Sequence, residues 1–465
     1  MKLKRFIAAF LAVATIFSVT ACSGNETSSV TSEGSSTTSE VSEDESSKEE
    51  SSKEESKEES KTETSATETS EPETSAPETT TNEPETSAPE TTTTTTTEAP
   101  ETEKPESTPA EGSEMTDTIN TFKLSEDNAK HIGRTYTDSE GTVWLSHSAT
   151  ALEFTFTGTK ASVTVCEDIV YGAGSEPRFA VYVDDERVQD ILLKEKEKTI
   201  DFYSADSAKE TKVKIIKLSE AANSIFGVKS VSANTTDLVP TEKKNLKIEF
   251  IGDSITCGYG VDDEVKENHF STATEDATRA YAYKTAMNLD ADYSLVSFSG
   301  HGIISGYTGD GKKQDQQLVP PFYEKIARNY SGSKIVENDW DFSRFTPDII
   351  VINLGTNDNS YVKKVKEKEE EYKAGYIEFI KQIRKNNPNA KIICTLGIMG
   401  NELFFPMRKG ITQYKEESGD TNVETVLLST QTAADGYAAD WHPTEKTHTK
   451  AATRMTQFIN ELLAQ

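Results

Sequence analysis

The 465-residue chain predicts an α/β fold with a parallel sheet over residues 245–465, preceded by an all-β sandwich over 119–238. Three observations carry this. In the C-terminal half, short apolar strands alternate with longer helical patterns, as in a parallel sheet covered on both faces. In the middle of the chain, runs with period-2 alternation or β-branched and aromatic enrichment recur about every ten residues, as in a sandwich. Before residue 119 neither periodicity is present.

The sandwich strands are expected at 151–157, 161–165, 179–183, 199–203 and 212–218, broken by Gly, Asp and Ser, with no helix beyond one or two turns. After a linker at 235–245, residues 247–251 form a strand ending at Gly252, 277–289 a helix, and 293–298 a second strand. Residues 348–354 are nearly all apolar, which marks a strand buried on both faces. A long helix at 361–386 stops before Pro388, because proline disfavours helical geometry in the residue before it. Strands at 391–396 and 423–428 and a closing helix at 445–463 complete the pattern. The lysine and glutamate run at 363–371 is a solvated helix face.

The formal net charge of −30 and the 34% apolar content look foreign to a globular protein until they are divided by segment. Residues 23–115 hold 26 acidic and 5 basic side chains, and residues 1–22 contribute +3, so the last 350 residues are only about −12. A general nucleic-acid binder, which needs a basic footprint to displace counterions, is not expected. No stretch after residue 22 approaches the roughly 20 apolar residues that a membrane-spanning helix needs.

Residues 1–22 have a charged start, an apolar run from Phe6 to Val19, and then Thr20-Ala21-Cys22, the layout of a secretory signal. The run Val19-Thr20-Ala21-Cys22 resembles the lipobox of bacterial lipoproteins, which implies lipidation at Cys22 and anchoring on the outer face of a bacterial membrane. Residues 23–118 are almost wholly Ser, Thr, Glu, Pro and Ala, with a repeat of Pro-Glu-Thr-Ser-Ala-Pro-Glu-Thr-Thr-Thr starting at Pro72 and again at Pro84. With nothing to bury against the cost of ordering, this stalk is expected to be disordered. Its reach runs from about 50 Å as a flexible coil towards about 280 Å if polyproline-like.

A parallel sheet places its site at the carboxyl ends of its strands. Three strand ends here carry polar, Gly-rich turns: Gly252-Asp253-Ser254-Ile255-Thr256, then Ser297-Phe298-Ser299-Gly300-His301-Gly302, then Gly355-Thr356-Asn357-Asp358. Asp440-Trp441-His442-Pro443 follows near the C-terminus. A serine at a tight turn, an imidazole and converging N–H donors are the parts of an acyl-transfer site. His131, His147, His269 and His448 lack metal-ligand spacing, so neither metal nor cofactor is expected. Cys166, Cys257 and Cys394 are isolated and expected as free thiols, with a Cys257–Cys394 bridge the one disulfide left open.

These four blocks, in this order, resemble those of the SGNH hydrolases, and with the sandwich in front the chain is similar to carbohydrate esterase family two over residues 131–465. Within the sandwich, His131-Ile132-Gly133-Arg134, the run Phe179-Ala180-Val181-Tyr182-Val183-Asp184, and Lys217-Leu218-Ser219-Glu220 carry that likeness. The resemblance implies a flavodoxin-like three-layer α/β/α domain behind a jelly-roll-like sandwich. It implies Ser254 as nucleophile and His442 as base, with an oxyanion hole from the N–H groups of Ser254 and Gly300 and the Asn357 amide, Gly302 being the alternative second donor. SGNH enzymes commonly place an Asp three residues before the His. Ala439 stands there in this chain, and Asp440 either orients His442 or leaves that to a backbone carbonyl and contacts sugar. Trp441 is a candidate stacking platform for a sugar ring, and His301 is either a substrate contact or a solvated loop residue. The implied function is removal of O-acetyl groups from polysaccharide such as xylan or glucomannan, with a bias towards 6-O-acetyl groups, by a monomer. The alternatives are deacetylation of the cell's own wall glycan and a non-catalytic carbohydrate-binding protein.

Overall fold

A computed structural model describes residues 112–464. The expectations for Cys22 and for most of the stalk fall outside the described residues. The first strand, β1 (Met115–Phe122), already pairs with β9 (Phe226–Thr235), so regular structure begins before residue 119, where the sequence placed it.

The N-terminal region is one curled antiparallel sheet of ten strands. Between β1 and β9 lie β2 (Lys130–Ile132), β3 (Thr135–Thr137), β4 (Val143–Leu145), β5 (Ala151–Glu167), β6 (Arg178–Val183), β7 (Glu186–Leu192) and β8 (Glu197–Lys217), and β10 (Val239–Pro240) follows. The pairs of short strands expected at 151–157 and 161–165, and at 199–203 and 212–218, are each a single long strand, β5 and β8. A bulge explains the split in the first. At Gly158 the register shifts, and the Asn234 side-chain oxygen accepts from both Thr159 and Lys160 N–H groups at 2.9 Å, where a Cβ on Gly158 would sit 2.8 Å from that oxygen. Bulges bend strands and raise their twist. The bent sheet thereby encloses its own core, with Phe154, Phe156, Val163, Phe179, Val213 and Phe226 packed inside.

The C-terminal region has five parallel strands in the order β12-β11-β13-β14-β15, the flavodoxin-like order. In chain order its elements are β11 (Leu246–Gly252), α1 (Ser254–Cys257), α2 (Tyr281–Asn288), β12 (Ala291–Ser297), β13 (Ile349–Asn353), α3 (Thr356–Val362), α4 (Lys366–Asn386), β14 (Lys391–Ile398), α5 (Phe404–Ser418), β15 (Val423–Thr430) and α6 (Glu445–Leu463). The apolar run on β13 serves two cores, because successive side chains point to opposite faces. Ile349 and Val351 pack with Tyr281 and Met455 of α2 and α6, whereas Ile350 and Ile352 pack with Tyr376, Ile380 and Met407 of α4 and α5.

Two helices differ from expectation and one was missed. The helix expected at 361–386 is two, α3 and α4, separated by Lys363 and Lys364 at φ 46° and 61°. That expected at 277–289 is a 3-10 turn at Ala277–Arg279 followed by α2. Helix α5 escaped notice because Pro406 and Gly410 dilute its pattern. Pro406 lies in the first turn, where its missing N–H is no loss, and Gly410 lets α5 approach Lys373 of α4 closely. Cys166, Cys257 and Cys394 are free and buried.

The two regions share a core, since Ile132, Ala180, Ile216 and Leu218 of the curled sheet belong to the cluster formed on α2 and α6. Charge crosses the same boundary. Arg134, fully buried, follows Gly133 at φ 77° and donates from Nη1 to the carbonyls of Tyr323 and Lys325 at 2.5 and 2.7 Å. Its Nη2 lies 3.3 Å from Glu249 on β11, whose other oxygen accepts from Tyr323 Oη at 2.8 Å. Removing one partner of a buried pair leaves an uncompensated charge. Arg134→Ala is therefore expected to cost about 3–5 kcal/mol in urea denaturation; a loss below about 1 kcal/mol would show that Glu249 is adequately held by its hydroxyl donors.

Candidate active site

The site lies at the carboxyl ends of β11, β12 and β13 and in the loop before α6. Strand β11 ends at Gly252, where a Cβ would stand 2.0 Å from Thr256 Oγ1, so only glycine permits the turn. Asp253 caps the short helix α1, its Oδ1 accepting the Ile255 N–H at 3.0 Å, and Ser254 is the first helical residue. Ser254 thus presents its hydroxyl and its N–H at one helix start. Burial pushes the Asp253 carboxyl up to about 7, the nearby Asp358 adding to the effect.

From 188 residues away, His442 brings Nε2 to 2.9 Å from Ser254 Oγ. Its Nδ1 lies 3.2 Å from the Ala439 carbonyl, so that atom carries the proton and Nε2 is the acceptor. Burial drives the imidazole down to about 4, against the opposing pull of the Ala439 carbonyl and the Asp440 carboxylate. A neutral imidazole facing a serine hydroxyl has the geometry of a base beside a nucleophile.

Asp440 does not touch His442 through its carboxylate. Oδ2 accepts from Tyr259 Oη at 2.7 Å and from the Phe270 N–H at 3.1 Å, and Oδ1 lies 2.8 Å from His269 Nδ1. Of the two arrangements left open by the sequence, the structure has the backbone carbonyl at the imidazole. The reason is conformational: Asp440 and Trp441 both take left-handed φ, 49° and 62°, and the Asp440 carboxylate goes to Tyr259, Phe270 and His269 while the Ala438 N–H closes the turn on the His442 carbonyl at 2.8 Å. Such residues cost about 1–3 kcal/mol each and persist only where the surroundings hold them. Here the Asn268 carbonyl takes the Asp440 N–H at 2.9 Å and Gln431 Nε2 donates to the Trp441 carbonyl at 2.9 Å. Trp441 is 51% exposed, with Lys266 Nζ over its ring at 4.4 Å and Tyr437 beside it.

Tyr259 was missed by sequence reasoning. Its ring stacks on His442 with centroids 3.9 Å apart while its hydroxyl holds Asp440, so one side chain supports both the imidazole and the turn that carries it. The signal was present as an aromatic residue one position beyond Gly258, which ends α1 at φ 80°, but nothing local says that the ring meets a residue 183 positions on.

Gly300, at φ 76° with open space at its Cβ position, has an N–H without a partner among the described residues, and so has Ser254. The N–H of Gly302, the alternative second oxyanion donor, donates to the Gln317 carbonyl at 3.1 Å. Asn357 Nδ2 donates to the His301 carbonyl at 2.8 Å and approaches Asp253 Oδ2 at 3.3 Å. Asp358 fastens the far side of the same loop, its carboxylate accepting the N–H groups of Ile303, Ile304 and Ser305 at 2.7 to 3.1 Å. His301 is neither solvated nor open to a ligand: it is fully buried, with Nδ1 on the Ser299 carbonyl at 2.9 Å and Nε2 against Arg328 Nη1, and burial pushes it down to about 3.

Residues 250–450 match the model of the GDSL-like lipase/acylhydrolase family, and residues 131–241 match that of the carbohydrate esterase 2 N-terminal domain. The chain is 31% identical over 323 residues to a cellulase/esterase, CelE, of Acetivibrio thermocellus; this covers 68% of the chain but spans only 37% of that relative's length. It is 24% identical over 351 residues to an acetylxylan esterase/glucomannan deacetylase of Cellvibrio japonicus, covering 75% of the chain and 93% of the relative. Among solved structures, a family two carbohydrate esterase from Clostridium thermocellum in complex with cellohexaose superposes with a TM-score of 0.63 at 30% identity, over 72% of this chain and 99% of that one. With both domain models matched in order and one such enzyme covered almost end to end, the chain belongs to carbohydrate esterase family two.

Proposed function

We propose that this protein is a serine esterase that removes O-acetyl groups from polysaccharide, with Ser254 as nucleophile and His442 as general base. The observation that carries the reading is the 2.9 Å contact between His442 Nε2 and Ser254 Oγ, with the backbone N–H groups of Ser254 and Gly300 left without another partner among the described residues. In the first step His442 Nε2 takes the hydroxyl proton as Ser254 Oγ bonds to the acetyl carbonyl carbon. The carbonyl oxygen becomes an oxyanion held by the N–H groups of Ser254 and Gly300 and by Asn357 Nδ2, which exchanges its longer contact, with Asp253, for the substrate. Collapse breaks the bond to the sugar oxygen, which receives the proton from His442. Water, deprotonated by the same imidazole, then releases acetate and restores Ser254.

Polysaccharide specificity is supported by the relatives, which include an acetylxylan esterase/glucomannan deacetylase and an esterase holding cellohexaose. The exposed Trp441 ring one residue from His442 offers a face on which a pyranose can stack. Acetylated xylan or glucomannan is the proposed substrate, with primary 6-O-acetyl groups preferred. The test is acetate release by residues 112–465 from a small acetyl ester, acetylated xylan, acetylated glucomannan and O-acetylated peptidoglycan, with Ser254→Ala as control. Plant-type glycans are expected to be deacetylated faster than peptidoglycan. Release from peptidoglycan alone would move the substrate to the cell's own wall, and release from nothing would leave a binding protein. In the same assay Asn357→Ala is expected to lose about 10²- to 10³-fold in rate, and Asp440→Ala much less than His442→Ala. Equal losses would make Asp440 obligatory for the base.

The acid limb of kcat/KM reports the base of the free enzyme. Because His442 must be neutral to accept a proton and burial holds it near 4, activity is expected to survive as pH falls through 6.5 and to be lost with a midpoint nearer 4. A midpoint at or above 6.5 in a still-folded enzyme would contradict that environment.

We further propose that Cys22 anchors the enzyme to the outer face of a bacterial membrane and that the stalk extends it outward, supported by the lipobox-like run and the composition of residues 23–111. Cys22→Ala is expected to shift activity from the membrane fraction to the medium; an unchanged distribution would count against lipidation.

A further inference from the structure

Glu220 belongs to the curled sheet, three residues beyond the end of β8, yet its carboxylate is spent on the other domain. It is 1% exposed. The nearest ammonium, on the fully buried Lys217, is directed elsewhere: Nζ donates to the carbonyls of Ser219 and Glu220 at 2.5 and 2.8 Å. Carboxylate Oε2 instead accepts the Ser299 N–H at 2.8 Å and lies 3.8 Å from Cys257 Sγ, while Oε1 is 3.4 Å from Asn223 Nδ2. Cys257 is the last residue of the helix that Ser254 begins, and its Sγ also reaches Ser297 Oγ at 3.2 Å. A single carboxylate oxygen thus meets both the nucleophile turn and the loop that leaves β12. The main chain of Glu220 is pinned as well, its N–H donating to Glu275 Oε2 at 2.9 Å.

The consequence concerns the next peptide. The Gly300 N–H and the Ser299 carbonyl share one planar group, so fixing either fixes the direction of the other. The carbonyl is held by His301 Nδ1 at 2.9 Å, and the N–H of the same residue, Ser299, is held by Glu220. Held at both ends, Ser299 has little freedom to rotate the following N–H away from Ser254. Oxyanion donors act through being aimed before the reaction begins, so a small rotation costs rate without costing substrate affinity.

We propose that Glu220 is a positioning residue for acetyl transfer, through which the N-terminal domain aims the Gly300 N–H at the developing oxyanion. This rests on Gly300 serving as a donor in the reaction set out above. It makes the curled sheet a part of the catalytic machinery rather than only a wall of the cleft.

The test compares Glu220→Met, which fills the space without an acceptor, with Glu220→Gln, which retains a carbonyl oxygen for the Ser299 N–H, in the intact two-domain protein. Wild-type acetate release that Ser254→Ala abolishes comes first, because its absence would sink the esterase reading itself. Given that activity, Glu220→Met is expected to lose between about tenfold and a hundredfold in kcat, at or below the loss from removing a donor outright, with KM for a small acetyl ester within about threefold. Glu220→Gln is expected to recover most of the rate. A boronic acid that forms a tetrahedral adduct on Ser254 should bind Glu220→Met more weakly in proportion to its fall in kcat/KM, because it samples the same donors. Should Glu220→Met fail to fold by thermal melting, Glu220→Asp, which keeps the charge but withdraws it by one methylene, should show the same fall in kcat at unchanged KM. A folded Glu220→Met or Glu220→Asp with wild-type kcat and boronate affinity would overturn the proposal. So would Glu220→Gln falling as far as Glu220→Met, since the acceptor would then not be what matters.

Discussion

The 2.9 Å contact between Ser254 and His442 is the constraint on which the proposed reaction depends, because a general base must be within hydrogen-bond reach of the proton it removes. Neither residue can meet it alone. Ser254 is placed by the interior strand β11 and by an aspartate cap, both adjacent in sequence. His442 stands in an irregular loop with two strained residues before it, and its place is maintained from the other side of the chain. Tyr259 stacks on the imidazole, while the main-chain carbonyls of Asp263 and Asn268 take the N–H groups of Ala439 and Asp440. The segment just after the Ser254 turn therefore builds the seat for His442, and both members of the pair are positioned by one stretch of about 20 residues.

That arrangement accounts for the one-residue offset of the acidic side chain. Had the carboxylate stood three residues before His442, it could have met Nδ1; Ala439 stands there, and its carbonyl takes the contact instead. A neutral carbonyl stabilises a developing imidazolium less than a carboxylate does, and complete burial lowers the basicity of the ring further. The Asp440 carboxylate still lies close enough to oppose the shift, but its hydrogen bonds go to Tyr259, Phe270 and His269. Its main contribution is thus to the strained turn, and through the turn to the angle at which both His442 and the exposed Trp441 are displayed.

What the sequence disclosed and what it withheld separate along a physical line. Strands β11, β13 and β14 were legible because burial on both faces demands apolar runs, and α6 because its apolar face repeats at helical period. Three of the four site blocks were legible because each follows a strand end and carries glycines, as at Gly252, where a side chain would clash; the fourth, Asp440 to Pro443, showed only by its residue types near the C-terminus. The continuity of β5 and β8 was hidden, since a bulge at Gly158 and the polar stretch 204–210 look like ends when they are bends within paired strands. Tyr259, Glu220 and the partners of Asp440 were hidden for a different reason. Their roles are contacts between residues far apart in the chain, and no local pattern encodes a stacking distance or which N–H a carboxylate will accept.

The same distinction bears on why the two regions travel together. Arg134 from the curled sheet closes on Glu249 and on carbonyls at 323 and 325, Arg178 reaches Asp262 at 2.7 Å, and Arg187 reaches Asp276 at 2.8 Å, so cations of one region repeatedly meet anions of the other. Asp262 and Asp276 lie on either side of the segment that seats His442, at 263–270. Glu220 in turn holds Ser299, the residue before Gly300. Polar contacts buried at a boundary are costly unless satisfied, which favours a single docking geometry over sliding between several. The β-region therefore docks against two elements of the site, the turn that bears His442 through its supports and the loop that bears Gly300 directly. The parallel sheet supplies strand ends for Ser254, Gly300 and Asn357 alike, and the curled sheet adds contacts at Ser299 and on either side of the segment that seats His442.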